Sequence, residues 1–154
     1  MPHVSGLFIY PVKSCRGHRV DVAALDDYGF VGDRRFLVVS PDGKFLTQRQ
    51  LPQMARIETE LADGHLTLSS ENFGAVSVPS ASTDAARPLS VTVWKDTVTA
   101  DDCGEEAADW LTRFLDLPAR LVRMGDGFRR EIPPRKIPGT LHAHPFAQPQ
   151  VSFA

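Results

Sequence analysis

Short apolar runs separated by turn residues dominate the first ninety residues of the chain. Residues 6–10 and 35–39 are mostly apolar, while 18–22 alternate polar and apolar side chains as a half-buried strand does. Further runs of strand length follow at 57–61, 66–68, 75–78 and 91–94. Strands this short and this regularly spaced, with no helix between them, predict a small barrel or sandwich.

Two of these runs are paired through recognisable turn sequences. Pro41, Asp42 and Gly43 separate 35–39 from 44–47, and Asp63 with Gly64 separates 57–61 from 66–68. Asp-Gly between apolar runs favours a tight turn, because the glycine adopts a positive φ at little cost. We therefore expect two β-hairpins.

The pattern changes after a small, polar stretch at 80–88, which we interpret as a module boundary. Asp102 and Glu105 have the spacing of a capping box, and Pro118 predicts the end of a helix just before it. The apolar residues between them recur at helical spacing: Ala107, Trp110, Leu111, Phe114 and Leu115. Residues 119–124 resemble one more strand.

These patterns predict a mainly β fold in two parts. The first, 1–88, is a small β-barrel built of short strands and hairpins. The second, 89–154, is an incomplete α+β segment with one amphipathic helix, because a helix and two strands bury little core by themselves.

Composition narrows the class of protein. The net charge of −2 gives no overall electrostatic reason to expect nucleic acid or an acidic membrane surface. No apolar stretch approaches the roughly 20 residues of a membrane-spanning helix, and the N-terminus lacks a basic-then-apolar signal layout, so we expect a cytoplasmic protein. Two cysteines, Cys15 and Cys103, are too few for a disulfide scaffold.

The first candidate site is the polar cluster in 9–17, where Lys13, Ser14, Cys15 and Arg16 follow an apolar run and Pro11. An ammonium group and a hydroxyl at a strand exit are suited to hold an oxyanion. The alternative is a solvated loop. Cys15 beside two cations is either a thiol of lowered pKa, acting as nucleophile or metal ligand, or a packing side chain.

Two further polar segments extend this candidate. Asp33 and Arg34 precede the strand 35–39, where the carboxylate is placed to orient a neighbouring arginine; a charged turn is the alternative. Arg49 lies in the polar segment 47–50, after the second strand of the first hairpin. If the strand ends converge, Lys13, Arg34 and Arg49 together offset the hydration that a phosphate loses on binding.

The C-terminal third carries cations without a clear binding pattern. We interpret this basic run as a solvated surface, because aromatic side chains that would stack on bases are scarce within it. The run comprises Arg120, Arg123, Arg129, Arg130, Arg135 and Lys136. His142 and His144 have a spacing found in some metal sites, but no carboxylate or cysteine follows to complete a coordination shell.

Taken together, these motifs resemble the N-terminal β-barrel domain of MOSC proteins, followed by the opening of the MOSC domain. The resemblance rests on 9–17, 32–36 and 47–54, and later on 93–94, 102–111 and 120–123. It covers essentially the whole chain, and the order and spacing of the fragments make it specific.

The resemblance implies a function. The family includes the mitochondrial amidoxime-reducing component and its bacterial relatives, which carry a molybdenum cofactor and reduce N-hydroxylated substrates with electrons from partner redox proteins. It implies that Lys13, Ser14 and Arg34, with Arg49 as a weaker candidate, help to hold the phosphate of the pterin cofactor (molybdopterin). Pyridoxal phosphate binding is a further expectation that we attach to this resemblance.

One departure limits the expected activity. The family's molybdenum-ligating cysteine lies downstream, beyond this chain, and neither Cys15 nor Cys103 matches it. We therefore expect a fragment or natural truncation that helps to hold the cofactor but does not retain it alone and has no reductase activity. The alternative is a non-catalytic β-barrel module that binds an anionic ligand or a partner protein.

Overall fold

The computed structural model describes residues 1–130, and 131–154 lie outside the described part. Eleven short strands, one 3₁₀-helix at Pro52–Arg56 and one α-helix, α1 at Glu105–Leu115, occur in this range. The strands are β1 Leu7–Ile9, β2 His18–Val20, β3 Leu25–Asp26, β4 Gly29–Phe30, β5 Phe36–Val39, β6 Glu58–Ala62, β7 His65–Ser70, β8 Gly74–Pro79, β9 Arg87–Val93, β10 Asp96–Asp102 and β11 Arg120–Arg123. The predicted mainly β fold with one helix is confirmed.

The strands form four sheets within residues 1–130. The largest has the order β5-β11-β10-β9, and a second has the order β6-β7-β8. The pairs β1-β2 and β3-β4 form two small sheets. Among the described residues these sheets do not close into a continuous barrel.

The largest sheet contains strands from both sides of residue 88. In it β5 pairs antiparallel with β11, and β11 pairs with β10. All four side chains of β5 are buried, which agrees with its unbroken apolar sequence. The predicted division at residue 88 stays a prediction, and these pairings argue for one folding unit across it.

Helix α1 covers one face of this sheet. Its residues Ala107, Trp110 and Leu111 are buried in the same core as Phe36 and Leu121, which come from β5 and β11. The apolar positions predicted for the helix are thus the ones that pack. The opposite face of the sheet has its own core, which includes Leu37, Val39, Val91, Val122 and Phe128.

The start of α1 differs from the predicted capping box. The N-cap is Gly104, with φ of 97° and no side-chain cap. Asp102 instead accepts a hydrogen bond from the Gly104 N–H at 2.9 Å and one from Arg120 Nε at 2.6 Å. An Asx-type turn and an ion pair to the neighbouring strand β11 therefore replace the cap. The predicted helix end is confirmed, since Asp116 is the C-cap in the left-handed region.

The hairpins are confirmed in part. Strands β6 and β7 pair through Asp63 and Gly64, both with positive φ, as a tight turn requires. The segment after β5 folds back on it without forming a full strand. Val39 and Phe45 form a bridge. The Leu46 N–H also donates to the Val38 carbonyl at 2.8 Å. The sequence analysis missed β10 and the short pair β3-β4. No helix within residues 1–130 is long and apolar enough to cross a membrane.

Candidate anion-binding site

Backbone hydrogen bonds place the first two predicted motifs side by side. Val12 forms a parallel bridge with Phe36. The Lys13 N–H donates to the Phe36 carbonyl at 3.0 Å, and the Arg34 N–H donates to the Tyr10 carbonyl at 2.7 Å. The polar strand exit at 10–14 is therefore fixed against the segment that begins β5.

Asp33 ties these two segments together through its carboxylate. One oxygen accepts the Tyr10 N–H at 2.8 Å, and the other accepts from Arg34 Nη1 at 2.5 Å. The Arg34 guanidinium also lies 5.5 Å from the centre of the Tyr10 ring. The sequence analysis expected Asp33 to orient a neighbouring arginine, and the structure shows this for Arg34.

Arg35 is directed to a different partner. Its Nη2 donates to Asp26 at 2.7 Å and to the Phe30 carbonyl at 3.0 Å. Two consecutive arginines thus serve different parts of the molecule, and Arg34 is the one beside the first motif.

A small cavity brings together three of the four predicted binding residues. It has a volume of about 170 Å³ and is lined by Lys13, Ser14, Thr47, Gln48, Arg49 and Trp94. The convergence of 47–50 with the first motif is therefore present. Arg34 does not line this cavity but lies close enough to act on Lys13 through its charge.

The electrostatics of the cavity favour an anion. Partial burial lowers the pKa of Lys13, and the positive charges of Arg34, Arg130 and Arg49 lower it further. Arg130 is paired with Asp96 at 2.9 Å and Arg34 with Asp33 at 2.5 Å, and Arg34 and Arg49 are the two arginines of the predicted site. Like charges gathered around a half-buried lysine are stabilised by a bound anion, which neutralises them.

Trp94 also lines this cavity, which was not predicted from the sequence. The apolar run 91–94 predicts a strand position for Trp94, but the residue lies just after β9, in the two-residue turn before β10. Its ring centre is 5.4 Å from Lys13 Nζ and 5.8 Å from the Arg49 guanidinium carbon. The sequence did contain a signal for a turn here: Trp94 ends an apolar run and is followed directly by Lys95 and Asp96.

Unusual backbone geometry concentrates at this site. Six residues other than glycine have positive φ in the described chain. Asp63, Asn72 and Asp116 are of the types that tolerate this region, since their short polar side chains can bond locally. The remaining three are Ser14 at 69°, Arg34 at 50° and Trp94 at 57°. Backbone strain of this kind is common at functional sites. Here Ser14 and Trp94 line the cavity, and Arg34 lies close to Lys13.

Cys15 is a packing side chain. It is only 1% exposed, and burial raises its pKa to about 12. The predicted alternative of a thiol with a lowered pKa is wrong, because burial in the core outweighs the nearby cations. Burial also raises the pKa of Cys103 to about 12.

The described part of the basic run is not a uniform solvated surface, and this corrects the prediction. Arg120 pairs with Asp102 at 2.6 Å and with Glu105 at 2.7 Å. Arg123 is buried and donates to the Pro79 carbonyl at 2.6 Å. Arg135, Lys136, His142 and His144 lie outside the described residues. Within residues 1–130, no group of three or more His, Cys, Asp or Glu is arranged to hold a metal ion.

Comparison with known proteins establishes the family. Residues 1–118 match the MOSC N-terminal beta barrel domain. The chain belongs to this family, and the match extends past residue 88. The resemblance inferred from the sequence motifs is thereby confirmed.

Similar proteins fall into two groups. The chain is 39% identical over 137 residues to the molybdenum cofactor sulfurase of Anopheles gambiae, a match that covers 79% of the chain and 17% of that protein. It is 35% identical over 125 residues to mitochondrial amidoxime reducing component 2 of Bos taurus, covering 78% and 37%. The match to mitochondrial amidoxime-reducing component 1 of Danio rerio is 32% identical over 144 residues, covering 88% and 43%. The chain thus spans less than half the length of these relatives.

A solved structure supports the fold alone. A Bordetella bronchiseptica protein of known solution structure superposes with a TM-score of 0.54 at 23% identity. The match covers 68% of this chain and 89% of that protein.

Proposed function

We propose that this chain is the N-terminal part of a molybdenum-cofactor-binding oxidoreductase, where it helps to hold the phosphate of the pterin. The observation that carries this proposal is the cavity shared by Lys13, Ser14 and Arg49 beside Arg34. Two cations neutralise phosphate charge inside it, the Ser14 hydroxyl donates a hydrogen bond, and Arg34 adds positive potential from outside.

The size of the cavity agrees with a phosphate group. Pockets for whole ligands measure roughly 300–1,000 Å³, and this one measures about 170 Å³. It therefore holds an anionic group, with the rest of the cofactor bound elsewhere. Among the described residues we assign no ligand for the metal of the cofactor, because Cys15 is buried in the core and neither Cys15 nor Cys103 lines this cavity.

We therefore assign no catalytic residue to this chain and propose that it is inactive alone. Electron transfer from a partner protein belongs, in this proposal, to the longer proteins that the chain resembles. Pyridoxal phosphate binding and a cytoplasmic location stay predictions, as does the interpretation of the chain as a fragment.

Calorimetric titration with inorganic phosphate tests the proposed anion site. We expect Lys13→Met or Arg49→Met to weaken binding about tenfold or more, which is the scale of a charge-assisted hydrogen bond. Lys44→Met is the matched control, because Lys44 is highly exposed and pairs with Asp42 away from the cavity. Failure of the wild-type chain to bind phosphate would overturn the proposal.

A second titration separates the cofactor proposal from the alternative of a general anion-binding module. A phosphate-bearing pterin should bind more tightly than inorganic phosphate if the chain contacts the cofactor beyond its phosphate. Equal affinities would favour the non-catalytic module.

A further inference from the structure

We infer that Trp94 is a positioning residue of the anion site, whose indole holds Lys13 and Arg49 side by side before the anion arrives. This inference rests on the proposed function, since it explains how the same cavity stays ready for phosphate. It adds a residue that none of the sequence motifs assigned to the site.

Both cations of the cavity lie close to the Trp94 ring. Lys13 Nζ and the Arg49 guanidinium lie 5.4 Å and 5.8 Å from the Trp94 ring centre. Both distances are within the roughly 6 Å over which an aromatic face attracts a cation, and tryptophan is the strongest of the aromatic side chains in this respect. A single ring therefore attracts both cations of the cavity.

The two cations repel each other and need an attractive group to stay close together. Lys13 and Arg49 come from different segments and carry like charges that repel each other. The carboxylate of Asp33 already accepts hydrogen bonds from Arg34 and from the Tyr10 N–H. Attraction to the indole counters the repulsion without introducing a carboxylate, which would compete with phosphate for the cations.

Trp94 is itself held in place by its neighbours. Its ring packs against Phe45, with centroids 4.9 Å apart at an interplanar angle of 58°. Phe45 is in turn fixed to β9, since its N–H donates to the Thr92 carbonyl at 3.3 Å. The positive φ of Trp94, in a turn position that usually favours glycine or asparagine, orients the indole over the cavity.

Trp94 is 49% exposed. Because two cations lie near its ring, the indole acts on Lys13 and Arg49. The cavity then selects a compact anion, and the ring determines how strongly that anion is bound.

Titration of Trp94→Leu and Trp94→Phe with inorganic phosphate tests this role. We expect Trp94→Leu to weaken binding about fivefold to thirtyfold, as two exposed cation–π contacts imply, and Trp94→Phe to restore much of the affinity. A double-mutant cycle with Lys13→Met should show non-additive losses, because the leucine variant has already displaced the lysine. Equal affinity of wild type and Trp94→Leu, or strictly additive losses, would overturn the inference.

Tryptophan fluorescence of the wild-type chain provides a test that needs no substitution. Phosphate should change the emission of half-exposed Trp94, with half-saturation at the concentration that calorimetry gives, while Trp110 is buried and remains unaffected. Phosphate binding without an emission change would refute the role of Trp94 and leave the proposed function intact. Absence of phosphate binding by the wild type would refute both.

Discussion

Lys13 shows how the surroundings of a residue determine its chemistry. The sequence places it among polar neighbours, but its half-buried position beside Arg34 and Arg49 comes from chain segments that are distant in sequence. Burial and like charge both disfavour the ammonium form, and a bound anion favours it. Anion binding and protonation of Lys13 are therefore linked.

This linkage predicts a pH dependence of anion binding. Since the pKa of Lys13 is lowered, its charge is lost at a lower pH than in the unfolded chain, and sulfate affinity should fall as pH rises through that lowered pKa toward 10.5. Sulfate is the appropriate probe, because its own charge is constant in this range. Calorimetry at increasing pH measures the effect.

The Lys13→Met variant is the control for this experiment. It should bind sulfate weakly at every pH, with a flat profile, because the arginines keep their charge. Protein stability should change in the opposite direction: in the same pH window the unfolded chain holds a proton that the folded chain has released, so the free energy of unfolding rises with pH. A wild-type profile as flat as that of the variant would contradict the assignment.

At the level of elements, tight turns hold the strand ends that carry the site. Gly43 has φ of 79°, and its N–H and carbonyl bond to Ser40 and Thr92. A Cβ at this position would collide with the Ser90 carbonyl oxygen. This turn packs directly against β9, the strand that ends just before Trp94.

A pair of glycine substitutions tests this contact. Gly43→Ala should destabilise the chain by about 2–4 kcal/mol, because a positive φ and a backbone clash coincide. Gly64→Ala is the matched control, since Gly64 has φ of 73° with nothing within 4 Å of the added Cβ, and should cost about 1 kcal/mol. Urea unfolding measures both, and equal losses would show that the contact with β9 contributes nothing.

At the scale of the whole molecule, the large sheet joins the beginning of the chain to its later part. Strand β5 pairs with β11, and α1 buries Trp110 and Leu111 against the core that Phe36 and Val38 enter. We infer that residues 1–130 fold as one unit. The segment that begins β5 also carries Arg34, so the anion site depends on this pairing.

Fragment 1–88 tests the folding unit. This fragment keeps only the first two residues of β9 and lacks β10, α1 and β11, so the apolar side chains of β5 are no longer covered. We expect no cooperative unfolding transition and a poorly dispersed NMR spectrum. The full chain under the same conditions is the comparison. A well-dispersed spectrum of 1–88 would instead support the division at residue 88.

Elements whose patterns are local could be predicted from the order of residues alone. These elements are the alternating strands, the turn at Asp63 and Gly64, and the helix with apolar residues spaced from Ala107 to Leu115. In each case the conformation is favoured by residues that are neighbours in the sequence. The motifs around Lys13 and Arg34 likewise indicated the family. These features required no knowledge of distant contacts.

The contacts between distant segments became known only from the folded chain. Pairing of β5 with β11 spans more than eighty residues, and the position of Trp94 beside Lys13 and Arg49 depends on three separate segments. Burial raises the pKa of Cys15, so its thiol stays protonated and unreactive. The carboxylate of Asp102, predicted to cap the helix, instead accepts a hydrogen bond from Arg120. Desolvation and long-range pairing arise only in the folded chain, and for that reason the pattern of residues could not predict them.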